Sequence, residues 1–191
     1  MKLVVPLAPR SVRTTLHRAS AASPTYDGPD VRRLEAAPAG FVLQHYDVAV
    51  GRGERDFDRA REGLGNWATH RVRGVHVHPP STPVSIGGVF VVTIGTPVLA
   101  IAAPCKVSRV TDEKDHFGFS YRTLPGHPEL GEEAFDVALD ESEVVHLVIA
   151  VVSRHAGALM RLSGPAAQLV QRAVTAAYAR ALGDAVRARP A

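Results

Sequence analysis

Residues His116–Phe135 read HFGFSYRTLPGHPELGEEAF, and this stretch decides the fold. Phe117, Phe119 and Tyr121 alternate with Gly118, Ser120 and Arg122, the period of a strand with one apolar face. Prolines and a glycine interrupt the run around His127, and alternation resumes after Gly131. The pattern predicts a hairpin. Its simplest register sets Thr123 opposite Gly131, Tyr121 opposite Glu133, Phe119 opposite Phe135 and Phe117 opposite Val137. The last three pairs share an apolar face. On the other face, expected to be solvated, Arg122, Ser120 and Gly118 stand opposite Glu132, Ala134 and Asp136. Register thus sorts two consecutive glutamates: Glu132 turns outward to an exposed ion pair with Arg122, and Glu133 turns inward toward the Tyr121 hydroxyl.

Outward from the hairpin, strands dominate. Phe41–Val50, His70–His78, Val89–Ile94, Val98–Val110, Glu132–Leu139 and Val144–Ser153 are rich in β-branched or aromatic residues and bounded by turn residues. Glu54–Trp67 reads as a helix, with Phe57, Ala60, Leu64 and Trp67 at helical spacing. Pro9–Ala22 reads as a short basic helix, followed by the turn-rich SPTYDGPD. The last segment is a long helix whose apolar stripe runs through Leu159, Leu162, Leu169, Ala173, Tyr178 and Leu182, with Arg172 and Arg180 on the wet side. Gly164-Pro165 should kink or divide it. Strands in series with no helices between them predict an antiparallel sheet. The fold class is α+β: a curved antiparallel sheet of about six to seven strands packed on the C-terminal helix. Residues 1–40 form an N-terminal helix and turn-rich extension, and 41–188 a single domain. The layout is similar to the helix-grip arrangement of START-like and birch-pollen-allergen-like domains.

Composition narrows the function. The chain has 191 residues, 46% hydrophobic and 21% charged, which suits one globular domain. Lys and Arg number 22 against 19 acids, a formal charge of +3 with the signs interleaved, so a nucleic-acid partner is not indicated. No window reaches the roughly 18 apolar residues of a membrane span. The first residues lack the order of a signal peptide, so the expected location is cytoplasmic. The lone Cys105, in an apolar run, excludes an internal disulfide and reads as a small buried hydrophobe. His76 and His78 make an H-x-H pair without a third ligand at a diagnostic spacing, so no metal is assigned. No cofactor motif occurs. The sequence sets no oligomeric state.

The run PCKVSRVTDEKDHFGFSYRTLPGHPELGEEAF, followed by SRHAGALMRLSGPAAQLVQRAVTAAYARAL, resembles the bacterial and plant family catalogued as domain of unknown function nineteen-ninety. The likeness includes PTYDG near Tyr26, the helix ending in Trp67, and Pro104-Cys105, and spans roughly Thr25 to Leu182. The chain departs from the family motif at Arg122, where the family has glycine, and at Lys106, where it has arginine. The resemblance implies no reaction, cofactor or substrate.

The candidate catalytic residues are His127, Glu133 and Tyr121. An imidazole at the hairpin mouth exchanges protons near neutrality, and an inward carboxyl beside a phenol is either a satisfied structural link or the polar anchor of a cavity. His127 reads more simply as a loop histidine bonded to backbone. Ser153 reads as an N-cap of the last helix. Candidate ligand-binding residues are Phe117, Phe119, Tyr121, Phe135, Leu169 and Ala173. The leading function is binding of a small apolar or amphipathic molecule between sheet and C-terminal helix. The alternatives are a cofactor-independent acid/base enzyme of cyclase, hydratase or isomerase type in the same cavity, and a protein-interaction module.

Overall fold

A computed structural model describes residues 4–5, 9–80, 82–96, 100–156 and 164–188, with side chains described for all of these except 4–5, 9–10, 155 and 164–172. The strands are β1 (Val4–Val5), β2 (Val42–Arg52), β3 (Val75–His78), β4 (Val89–Gly95), β5 (Ala100–Asp112), β6 (His116–Thr123), β7 (Glu129–Leu139) and β8 (Val144–His155). The helices are α1 (Pro9–Ser20), α2 (Glu54–Gly65) and α3 (Gly164–Arg187). All pairings are antiparallel, in the order β2-β8-β7-β6-β5-β4-β3, with β1 added on β5. The predicted α+β helix-grip layout is the observed one.

β2 and β3 follow one another in sequence yet lie at opposite edges of the sheet. The chain between them must therefore cross the concave side, and it does so through α2 and a 3-10 turn at Ala68–His70. α2 buries Phe57, Ala60 and Leu64, and its first turn carries Glu54 and Asp56, whose charge suits a helix N-terminus. Trp67 then adopts a left-handed conformation at φ 61°, costly for a bulky residue. Its indole is held by a 2.8 Å bond from Nε1 to the Thr82 carbonyl. That reversal sends Thr69 and His70 into the core, where both are buried. The predicted strand His70–His78 is thereby corrected to Val75–His78, entered through a turn at Gly74 with φ +81°.

The hairpin has the predicted register: Tyr121 pairs with Glu133, Phe119 with Phe135, Phe117 with Val137 and Arg122 with Glu132. Its inner face meets α3 and α2 in one core that includes Phe119, Phe135, Leu147, Ile149, Leu64, Tyr178 and Leu182. Burial of each such large side chain contributes about 1.5–3 kcal/mol.

Two helix expectations are corrected. Ala173 is exposed, because Thr175, Tyr178, Ala179, Leu182 and Val186 turn toward the core at helical spacing and leave Ala173 with Ala176 and Arg180 on the outer side. Ser153 is not an N-cap: it lies within β8, paired with Val42 and Gly131. The described helix begins at Gly164 and carries Pro165 in its first turn, where proline is tolerated. Leu159 and Leu162 lie outside the described residues, as do the side chains of Leu169 and Arg172.

The outer face of the hairpin, expected to be solvated, is covered. Tyr26 and Val31 pack on Ala134, Ala150 and Val152, so residues 25–34 form a strap across the sheet. Beneath it Glu132 is 4% and Asp136 6% exposed. Arg32 Nε reaches Asp136 at 2.8 Å, Arg109 Nε reaches Asp30 at 3.1 Å, and Arg122 Nη2 reaches both the Gly28 carbonyl at 3.0 Å and Glu132 at 3.4 Å. The Arg122–Glu132 pair was foreseen; its burial was not, because an isolated pair of apolar residues in a turn-rich segment carries no period to read.

Candidate functional site

β6 and β7 bring Tyr121 and Glu133 together on the concave face, and the Tyr121 hydroxyl donates to Glu133 Oε2 at 2.5 Å. The surroundings are aromatic. Phe135 and Phe119 stack at 5.5 Å between ring centroids, Phe90 meets Tyr121 edge-on at 5.1 Å, and Trp67 meets Phe119 at 5.2 Å. Burial among these groups raises the Glu133 pKa to about 7; the Tyr121 bond opposes the rise and the Glu129 carboxylate adds to it. Arg122, the nearest cation in sequence, takes no part, since alternation along β6 puts it on the other face.

Behind Tyr121 stands a residue that sequence reasoning missed. His70 Nε2 lies 3.5 Å from the Tyr121 hydroxyl, and His70 Nδ1 shares a 2.9 Å bond with Thr69 Oγ1. Its ring stacks on Tyr178 of α3 at 4.9 Å and 28°. Burial lowers its pKa to about 3, so His70 is a neutral imidazole at any ordinary pH. Thr69, His70, Tyr121 and Glu133 thus form a buried polar line through an apolar core. The signal available in the sequence was a Thr-His pair directly after a tryptophan at a helix end, which reads more simply as a loop. Burial, then the nearby Glu133 charge, pushes the Cys105 thiol well up, so it is an inert buried thiol, as its apolar run suggested.

His127 lies in the hairpin loop, but not as a free surface imidazole. Its Nδ1 accepts the Glu129 backbone N–H at 2.9 Å, and burial lowers its pKa to about 4. The backbone-bonded reading of His127 is the one observed. Its ring still borders a cleft of about 30 Å³ shared with Tyr121, Glu129, Glu133 and Val151, room for one or two water-sized groups. The three candidates therefore meet at one opening. Phe117, Phe119, Tyr121 and Phe135 line the same inner face, whereas Ala173 points away from it. Among the described residues no three His, Cys, Asp or Glu side chains group as metal ligands, and no helix is long and apolar enough to cross a membrane.

The family described as "Domain of unknown function (DUF1990)" matches residues 25–181, most of the chain. This chain belongs to it. Two relatives called UPF0548 proteins are each 30% identical: one from Arabidopsis thaliana, over 70% of this chain and 67% of the relative, and one from Deinococcus radiodurans, over 95% and 97%. Among solved structures, a Helicobacter pylori hypothetical protein is similar at TM-score 0.58 and 12% identity, covering 77% of this chain and 88% of that one. Ara h 8.0201 is similar at TM-score 0.51 and 14% identity, with coverage of 77% and 98%. A norcoclaurine synthase point mutant from Thalictrum, solved with a transition-state analogue, is similar at TM-score 0.51 and 11% identity, with coverage of 76% and 94%. At these identities the likeness establishes that this chain has the helix-grip fold, and nothing about chemistry.

Proposed function

We propose that this protein binds a small apolar or amphipathic molecule between the sheet and α3, with the Tyr121–Glu133 pair as polar anchor and His127 at the mouth. One observation carries the reading: a carboxyl group is turned into an aromatic core with a phenol, not a cation, as its hydrogen-bond donor. Such a group costs stability, and a ligand that uses it is the simplest reason for it to be there. The similarity to helix-grip structures supports a site on this side of the sheet. The buried free thiol of Cys105 suits a cytoplasmic setting.

The second reading is an acid/base enzyme working in the same place without a cofactor. It is favoured by the Glu133 pKa near about 7, where a carboxyl both gives and takes a proton at working pH. Native mass spectrometry of the protein purified from its host tests the binding role. Wild type should carry a small-molecule adduct that Glu133→Gln carries at lower occupancy. Two bare spectra, or equal occupancy, would leave the pair with an architectural role and overturn the reading. A chemically altered adduct in wild type and an unaltered one in the variant would select the enzyme.

A further inference from the structure

We infer that the convex face around α1 is a docking surface for an anionic lipid bilayer, held there by charge. The inference stands apart from the ligand reading. All 19 acids of the chain lie in residues 27–62 and 112–184, and every one of them is among the described residues. Residues 1–26 and 63–111 hold no acid and eight of the 22 Lys and Arg. The formal charge of these two segments is therefore +8, and that of the rest, 14 cations against 19 acids, is −5. The net +3 conceals a separation, and the signs interleave only in the remainder.

The fold brings the two segments together. Residues 63–111 supply β3, β4 and all of β5 but its last residue, three neighbours at one edge of the sheet. Residues 1–26 supply β1, paired on β5, and α1, which packs on β4 and β5. Phe90, Val92 and Ala103 face the concave core, while their alternates Val91, Thr93 and Ala102 are buried outside that core. α1 covers these with Val12 and Ala19 and so lies on the convex side. Its outer side exposes Arg13, Thr14, His17, Arg18 and Ser20. Lys106 stands opposite Arg122 in the β5–β6 register and adds a cation on the same face. Of the cations here whose side chains are described, Arg109 alone reaches a carboxylate, that of Asp30 in the strap at 3.1 Å. In the remainder Arg32, Arg59, Arg61, Arg122 and Arg187 each have one.

The chemistry of this surface selects its partner. Tyr26, Trp67 and Phe90, the only Phe, Tyr or Trp of the two segments, are buried, so no ring is offered to a nucleobase. Among the described side chains of α1 no large apolar one is exposed, so the anchor that fixes a protein partner is missing as well. Unpaired cations dispersed over a helix and a strand suit a partner whose own charge is diffuse. An anionic leaflet is such a partner, because its head groups draw each nearby Arg or Lys without a fixed geometry. The acid-rich remainder turns α1 toward the leaflet, since the potential that attracts one side of the molecule repels the other.

Vesicle flotation of the full chain tests this, with bilayers of phosphatidylcholine alone and of phosphatidylcholine with about 30% phosphatidylserine. At about 0.05 M salt the protein should bind the anionic vesicles roughly tenfold or more tightly than the neutral ones, and the difference should vanish near about 0.5 M. Arg13→Ser combined with Arg18→Ser should weaken the anionic binding roughly tenfold or more. Arg180→Ser, exposed on α3 at the other side of the sheet, should leave it unchanged. Should the double variant fail to fold, Lys106→Ser takes its place, with a loss of roughly fivefold. Equal binding to the two vesicle types, or binding to neither, overturns the inference. A loss from Arg180→Ser as large as that from the α1 pair overturns it too, because net charge and not this face would then be responsible. Tighter binding to a duplex DNA oligonucleotide at the same salt, lost in the α1 pair, gives the surface to nucleic acid instead. Self-association that weakens with salt, without vesicle binding, gives it to a second copy of the chain.

Discussion

Glu132 and Glu133 are consecutive in the chain and sit on opposite faces of one strand, each held by a different kind of partner. Glu132 accepts from Ser108 Oγ at 3.1 Å and lies 3.4 Å from the Arg122 guanidinium, whereas Glu133 has the Tyr121 hydroxyl. A cation offsets the first charge. Only a neutral donor meets the second: burial and the Glu129 carboxylate oppose its ionisation, and the Tyr121 bond offsets part of that.

Glu133→Gln should change the pH dependence of stability. The folded-state pKa of Glu133, about 7, lies above its ordinary 4.5, so folding favours the protonated form. The resulting stability is complete below about pH 4.5 and is lost as pH rises through about 7, a difference of up to about 3 kcal/mol. Glutamine keeps the shape and does not titrate. Thermal melts should show the variant gaining on wild type between about pH 5 and about pH 8; parallel curves would refute the burial of a titrating Glu133.

His70→Phe should act in the opposite sense. His70 is depressed to about 3 in the fold, so it favours folding above its ordinary 6.5 and penalises it as pH falls toward about 3. Phenylalanine preserves the stack on Tyr178 and removes the proton site. The variant should lose about 1 kcal/mol at neutral pH through the bonds to Thr69 and Tyr121, and then decline less than wild type on acidification. In wild type the His70 and Glu133 effects offset one another between about pH 5 and about pH 6.5. A wild-type profile in that window flatter than either variant's is the joint signature.

His127→Ala should lower stability by about 0.5–1.5 kcal/mol, because the imidazole accepts the Glu129 N–H and tethers the hairpin loop. A free loop histidine would give no measurable loss, and urea unfolding separates the two.

Asp136→Ala should destabilise by about 2–4 kcal/mol, since it strips Arg32 of its 2.8 Å partner and His116 of its 3.0 Å partner under the strap. The same variant should be nicked faster by protease within residues 25–34. A loss below about 0.5 kcal/mol would mean that the pair behaves as a surface ion pair.

The hairpin was legible because its information is local. Alternation of Phe117, Phe119 and Tyr121 against Phe135 and Val137 admits one register that keeps the aromatics together, and a slip by one residue would expose all of them. Even Gly131, read as the residue opposite Thr123, has a tighter reason: a Cβ there would collide with the Val152 carbonyl oxygen of β8. What stayed hidden depends on contacts distant in sequence. Tyr26 and Val31 acquire their role only when β7 and β8 lie beneath them. His70 enters the site because Trp67 turns left-handed, a choice fixed by the Thr82 carbonyl. Ala173 was misassigned because alanines encircle α3, and a small side chain does not mark a face.

Trp67 is the chain's one tryptophan, and the fold has set it against the site. Its ring lies 5.3 Å from His70, 5.2 Å from Phe119 and 4.6 Å from Phe90, with little of it open to water. Indole emission from this protein therefore comes from a single place and needs no deconvolution. Quenching or a spectral shift on adding a molecule recovered from the host, or on acidifying toward the His70 transition, is a label-free optical readout of the same buried line of residues that the melts address.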